Sequence, residues 1–415
     1  MDVTGAYLNA ELKKRSLMRL DPSLAEILKR VDSTYGDYLQ KDGSIVVELK
    51  KALYGLAESA KLWNETLIQF FLELGFKQNG KDPCVLNVDY KGSQLTVVIY
   101  VDDILCTFSK EDAMDWIFEK VLARFKEASI SKGPKISYLG QTFNFSSEGK
   151  VKVTMEAFVA DFLSYCGATG GAVTPAKEDL FVVDENALEL SFAEKEEFHS
   201  RVAKLLYLSI RVRPDLLTAV CFLCTRVSKP TIQDQEKLDR VVKYLNSTQE
   251  MGIVLEGSER LQVVAYIDAA YAVHKDFKSH TGGVITIGKG PVFARSSKQK
   301  LVSKSSTEAE IIGTSDHLSQ VIWTRDFLLE QGYNVPAAVI KQDNQSAKHM
   351  MEAGSGSSEN TRHIGIRFFF VKDRITSGEV KIEWLPTEDM LADMLTKPLQ
   401  GELFRTLRRC LLNWE

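Results

Sequence analysis

Cysteine is scarce in this chain, with six among 415 residues. Spread as thinly as Cys84, Cys106, Cys166, Cys221, Cys224 and Cys410, they do not make the disulfide framework that staples small extracellular domains. Cys221 and Cys224 form a C-x-x-C, but it lies inside the apolar stretch AVCFLC. No second Cys or His pair at zinc spacing accompanies it, so the two read as buried packing residues. Long apolar runs are missing too: none approaches the roughly 20 residues of a membrane span. The opening MDVTGAYLNAELKK has no apolar core of a signal peptide. Fixed-period repeats and low-complexity tracts are absent, which argues against a solenoid. Positive charge is not in excess either. The 52 Lys and Arg against 56 Asp and Glu leave a net charge of −4, a balance that at first sight argues against a nucleic-acid partner. The expectation is an intracellular, cytoplasmic chain with no membrane contact and a length of roughly two to four domains. At 44% apolar residues it is too hydrophobic for global disorder.

Two soft joints divide it. CGATGGAVTPAKED, from Cys166, is rich in Gly and Thr and ends in a Pro turn. NSTQEMGIVLEGSERL, from Asn246, marks a change from helical to strand-like patterning. Three segments follow: an α+β segment over 1–165, a mainly helical one over 166–258, and an α/β segment over 259–415. In the first, Leu62, Trp63, Leu67, Phe70, Phe71 and Leu74 recur at helical spacing, with Ser59 as a cap and Gly75 as a stop. The third opens with strands and then predicts a long helix over about 308–331. Ser305 with Glu308, and Thr307 with Glu310, both have capping-box spacing. A further strand ends at Asp343, and a final capped helix, TEDMLADMLTKP, carries Asp393 and ends at Pro398.

Carboxylates carry the chemistry. Asp102 and Asp103 interrupt the β-rich run QLTVVIYVDDILCTF, so they sit at the tip of a predicted hairpin. Adjacent acids repel, and at such a place they are either solvated or neutralised by a cation. The apolar flanks favour the cation, and Asp2 could supply a third ligand. The second set is Asp268 at the end of VVAYID, Glu310 in the first turn of the long helix, Asp343 and Asp393. Glu308 and Glu310, two apart, cannot share a helix face. One faces the site, and the other reads as a surface acid complementing the helix dipole. Taken singly, each of these acids is an ordinary turn or surface residue.

Taken in order, DVTGAY, KALYGL…SAKLW, GF…DPCV, YVDDIL and SYLGQTF resemble the reverse transcriptase of copia-type LTR retrotransposons. YIDAAYA, KSHTGG, SKSSTEAEI, QDNQSA, TRHIGIRFFFVKD and LADMLTKPL resemble the ribonuclease H of the same family. The resemblance implies a reverse transcriptase-like α+β palm over 1–165 with fingers absent and a helical thumb or connection over 166–258. An α/β ribonuclease H-like domain with a mixed five-stranded sheet would follow over 259–415. It also implies Asp2, Asp102 and Asp103 as metal-binding catalytic acids of the palm, and Asp268, Glu310, Asp343 and Asp393 as those of the nuclease. Each site would hold two Mg²⁺ or Mn²⁺ ions. Tyr7 would be the aromatic gate that excludes a ribonucleotide 2′-hydroxyl. Gly55 would let the backbone approach template and dNTP, and Tyr138, with Leu139 and Gly140, would grip the primer end.

The implied partners are an RNA template, a DNA primer, dNTP and an RNA–DNA hybrid, inside a virus-like particle if the element is active. Lys298 and Lys300, with Arg295 and Lys304, are candidate phosphate contacts ahead of Glu310. His363 reads either as a solvated loop residue or as an aid to product release. In the family a fingers region with basic dNTP-holding residues precedes the first acid, and here that acid is Asp2. The expectation is a polyprotein fragment, cut at its N-terminal side, whose polymerase half is incomplete. The rivals are a ribonuclease H alone and a non-catalytic duplex-binding remnant.

Overall fold

Leu62, Trp63, Leu67, Phe70 and Phe71 are buried along one face of the helix Ser59–Glu73, as their spacing predicts. Ser59 does not cap it. Its hydroxyl instead donates to the Leu53 carbonyl at 2.6 Å and pins the incoming loop. In the computed structural model, which describes residues 1–145, 147, 149–258, 260–354 and 365–414, this helix belongs to the first of two compact units, 1–131 and 132–415.

The first unit is built on an antiparallel six-stranded sheet. Its order is Lys77–Gln78, Val85–Tyr90, Ser93–Tyr100, Asp103–Thr107, Asp2–Val3 and Ala128–Ser129. The helices Ser59–Glu73 and Asp112–Phe125 meet where Phe125 stands edge-on to Trp63 and Phe70, each 5.2 Å away between centroids. A separate hairpin pairs Glu11–Leu20 with Ile45–Lys51.

The second unit begins earlier than the joint at Cys166. Strands Lys135–Tyr138, Gln141–Asn144 and Lys150–Thr154 form a sheet with Ile253–Glu256, so residues on both sides of the helical segment are hydrogen-bonded together. Between them run the helices Phe192–Arg211, Leu217–Cys224 and Ile232–Asn246. Cys221 and Cys224 lie on the short middle helix, and burial pushes their thiols to about 12 and about 11, as suits packing residues.

The C-terminal part holds a five-stranded mixed sheet in the order Phe293–Lys298, His280–Thr286, Val264–Ala270, Ala338–Gln342 and Val380–Trp384. The first three pair antiparallel and the last two join in parallel, as the crossover helices between them require. Met394, Leu395, Phe404 and Leu411 share one apolar core with Phe198, Leu217 and Leu238 of the middle helices, so the helical segment and this sheet fold as one body.

Two neutral histidines are sealed in that body. His274 Nε2 and His280 Nδ1 lie 2.9 Å apart beside Phe181. Burial, reinforced by Lys298, lowers His274 to about 4, and burial, reinforced by His274, lowers His280 to about 3. Well above pH 6.5 both rings are neutral whether the chain is folded or not. Below it only the unfolded chain binds the protons, so stability falls as pH falls, by up to about 1.4 kcal/mol per pH unit per ring, until the folded values are reached. Relative to a His274→Phe variant, the wild type should therefore lose about 1 kcal/mol of urea-measured stability between pH 7 and pH 5.5. An unchanged difference would show that the ring is not held neutral.

Candidate metal centre

The strand Val264–Ala270 is hydrogen-bonded on both sides, and it delivers Asp268, only 2% exposed, opposite Gly282. The long helix spans Ser306–Glu330. Of the two possible capping pairs the structure uses Ser305 and Glu308: the Ser305 hydroxyl accepts from the Glu308 amide at 3.2 Å. Glu308 is therefore not the surface acid expected. It is buried, and its carboxylate accepts from the Lys304 amide at 2.7 Å, because the incoming loop folds back over the helix start. Glu310 consequently points at the sheet. Its Oε1 accepts from the Ala269 amide at 3.1 Å and its Oε2 from Gln342 Nε2 at 3.3 Å. The Gln342 amide is oriented in turn by the Asn344 N–H, 2.9 Å from its Oε1. Asp343 follows the strand Ala338–Gln342, half-buried, and accepts from the Thr387 hydroxyl at 2.9 Å.

These supports bring one carboxylate oxygen from each of Asp268, Glu310 and Asp343 within 4.8 Å of one another. Among the described residues no other three His, Cys, Asp or Glu side chains converge as closely. Asp393 lies apart from the triad but belongs to the same cluster. It does not sit on the expected helix: Leu391–Leu395 is a single 3-10 turn whose residues 392–395 are all buried, and the helix begins only at Gly401, beyond Pro398. A one-faced amphipathic helix cannot bury four consecutive residues.

Lys397, not among the sequence candidates, joins the two parts. Its ammonium is 2.8 Å from Asp393 Oδ1 and 3.6 Å from Asp268 Oδ2, and the Thr396 hydroxyl donates to that same Asp268 oxygen. The i,i+4 spacing of Asp393 and Lys397 was the available sequence signal. Burial pushes Glu310 well above the usual carboxylate range, with the charges of Asp268 and Asp343 adding to it. Burial and Asp268 raise Asp393 to about 7. Burial works against the Lys397 ammonium, yet Asp268 and Asp393 outweigh it and hold its pKa above that of an ordinary lysine. Buried, like-charged and all-oxygen, the donor set fits a hard divalent cation such as Mg²⁺ or Mn²⁺.

Gly282 leaves the room this arrangement needs. A β-carbon there would stand 2.6 Å from Leu395 Cβ and 2.9 Å from the Ala392 carbonyl, against the turn that carries Asp393. Gly282→Ala should cost about 1–3 kcal/mol in thermal or urea unfolding through overpacking. A melting temperature equal to wild type would show that the turn yields.

In the first unit, Asp2 pairs across strands with Asp103, and Asp102 lies in the intervening hairpin turn. That turn is anchored from below, since buried Trp63 donates to the Val101 carbonyl at 2.7 Å. Burial, then Asp102 and Asp2, raises the Asp103 pKa. Tyr7, on the turn Ala6–Asn9, stands 4.5 Å from the Tyr54 ring, and Gly55 next to it has the left-handed φ of +98°. Tyr138, Leu139 and Gly140 form a tight hairpin of the second unit, with Leu139 and Gly140 at positive φ. Lys298 is engaged with Asp276 at 2.8 Å, and Lys300 is exposed. His363 lies outside the described residues.

Residues 1–176 match the family model described as reverse transcriptase (RNA-dependent DNA polymerase). The retrovirus-related Pol polyprotein from transposon RE1 of Arabidopsis thaliana is 28% identical over 412 residues, covering 98% of this chain. Along nearly its whole length the chain is similar to copia-type retrotransposon Pol polyproteins. The TyH3 Gag-Pol polyprotein of Saccharomyces cerevisiae extends the relationship, at 22% identity over 98% of the chain. The chain spans 26% of the RE1 Pol polyprotein and 23% of the TyH3 one, about a quarter of each. Among solved structures, LC11-RNase H1, isolated from compost, covers 32% of this chain at 15% identity and a TM-score of 0.26, with 91% of its own chain matched. Prototype foamy virus protease–reverse transcriptase covers 88% at 12% identity and a TM-score of 0.24, with 42% of its own chain matched. Likenesses that faint add nothing to the assignment. Among the described residues, no helix is long and apolar enough to cross a membrane.

Proposed function

We propose that the second unit is a ribonuclease H that hydrolyses the RNA strand of RNA–DNA hybrids. The observation that carries this reading is the convergence of Asp268, Glu310 and Asp343, with Asp393 tied in through Lys397, on a five-stranded mixed sheet. When bound, two divalent ions would lower the pKa of an attacking water and stabilise the leaving 3′-oxygen. The chain's own part is to hold the ligands still. Ala269 N–H and Gln342 orient Glu310, Thr387 orients Asp343, and Thr396 orients Asp268. No serine or cysteine nucleophile is needed for this chemistry. The local charge also accommodates a polyanion: from residue 259 onward the chain has 20 Lys and Arg against 19 Asp and Glu, and four of those acids are the proposed ligands.

For the first unit the reading is RNA-directed DNA synthesis from a DNA primer, with dNTP and two Mg²⁺ held at Asp2, Asp102 and Asp103 and Tyr7 as the sugar gate. The family match over residues 1–176 supports it. One observation favours nuclease activity alone as the second reading: the three first-unit acids are not gathered as tightly as Asp268, Glu310 and Asp343.

Purified chain should cut the RNA of a labelled hybrid in Mg²⁺, leave single-stranded RNA intact, and stop when the metal is chelated. Cleavage that persists after chelation, or no hybrid cleavage in either Mg²⁺ or Mn²⁺, would sink the nuclease reading. Primer extension on an RNA template decides between the dual and the nuclease-only readings.

A further inference from the structure

The carboxylate cluster is divided unequally. Asp268, Glu310 and Asp343 converge around a common point, whereas the pair Asp268 and Asp393 is already bridged by the Lys397 ammonium at 3.6 and 2.8 Å. Asp268 is shared by both halves. Three of the four acids are no more than 5% exposed, so their charges need a cation at hand. The Lys397 side chain is 37% exposed while Asp393 beneath it is only 6% exposed. Its four-carbon stem can therefore swing toward solvent without dismantling the turn. The Lys397 backbone stays tied by its N–H to the Asp393 carbonyl, 2.9 Å away.

We propose that Lys397 is the resident counter-ion of this cluster, holding the gap between Asp268 and Asp393 in the metal-free protein and leaving it when a second divalent cation binds there. The inference rests on the metal-centre reading above and deepens it. The first ion meets the triad without disturbing Lys397. The second must displace an ammonium from two buried oxygens, so it binds more weakly. Lys397 thus sets the order of loading, and it keeps the acids from repelling one another when no metal is present.

The test is a Mn²⁺ titration of the full chain, read as free ion by electron paramagnetic resonance. An Asp102→Asn/Asp103→Asn background silences the first unit. With Lys397 present, the second ion should bind at least about tenfold more weakly than the first, and Lys397→Met should tighten that second step about tenfold or more. Lys397→Arg, which keeps the positive charge, should retain the wild-type gap. Without metal, Lys397→Met should melt about 5 °C lower, and Mn²⁺ should restore the difference. If the Met variant does not fold even with Mn²⁺, Lys397→Gln takes its place with the same expectations.

Two ions binding with the same constants in wild type and neutral variant, or equal metal-free melting temperatures, would overturn the role of Lys397 while leaving the metal centre standing. If the protein with Lys397 binds no Mn²⁺ at all, the metal-centre reading fails and takes this one with it.

Discussion

Asp343→Asn should lower hybrid cleavage about a hundred- to a thousandfold. The change keeps shape and size and removes only the charge. The Thr387 hydroxyl can still donate to the amide oxygen that replaces Asp343 Oδ2. Asp343 is also only half-buried, unlike Asp268, Glu310 and Asp393, so its replacement tests chemistry rather than folding. Hybrid binding, measured by fluorescence anisotropy in EDTA, should stay within about threefold of wild type, because phosphate contacts from Lys and Arg supply most of the affinity. Its melting temperature should remain within about 2 °C of wild type. Single-turnover cleavage at saturating hybrid separates these effects. Wild-type rates in Asp343→Asn would remove Asp343 from the site.

The largest stability effect is expected at Asp215→Ala. Asp215 and Arg213 are fully buried at the bend between two middle helices, joined by paired contacts of 2.9 and 2.8 Å. The Tyr244 hydroxyl donates to Asp215 at 2.7 Å, and Arg213 also reaches the Thr248 carbonyl and hydroxyl, each at 2.8 Å. Burial acts against the Asp215 charge, but Arg213 outweighs it and holds the carboxyl below its usual range. Removing the acid strands a guanidinium inside the core, at a cost of about 3–5 kcal/mol. In a unit of this size the melting temperature should fall by roughly 10 °C. The double variant Arg213→Met/Asp215→Leu should recover most of that loss, since it leaves no buried charge unpaired. If the single variant proves as stable as wild type, the pair is not sealed from water.

Local patterning was legible wherever one face of an element decides its shape. The buried stripe of Ser59–Glu73 was readable from spacing. So were the hairpin around Asp102 and the onset of Ser306–Glu330, which hydrophobic periodicity and cap residues announce within a few positions. Where tertiary contacts override local preference, spacing gave less. Glu308 looks like a dipole-complementing surface acid, yet the loop from Lys304 covers it. TEDMLADMLTKP looks like an amphipathic helix, yet residues 392–396 are buried in a row while Thr387, Glu388 and Asp389 stay exposed, and the segment settles into short turns. The boundary near Cys166 follows a change in composition. The compact unit starts before it, because strands on either side of the helices pair with each other.

What the sequence by itself determined is the identity of the acids, the strand-and-helix order that carries them, and the resemblance that implies their chemistry. Those are properties of residue type and order along the chain. Only the tertiary structure decided which oxygens meet, that Asp268, Glu310 and Asp343 converge while Asp393 stands off, and that Lys397 fills the space between Asp393 and Asp268. The physical reason is distance. Asp268 and Lys397 are 129 positions apart in the chain, and such an ion pair exists only once the sheet, the long helix and the final turn have packed and excluded water from the carboxylates.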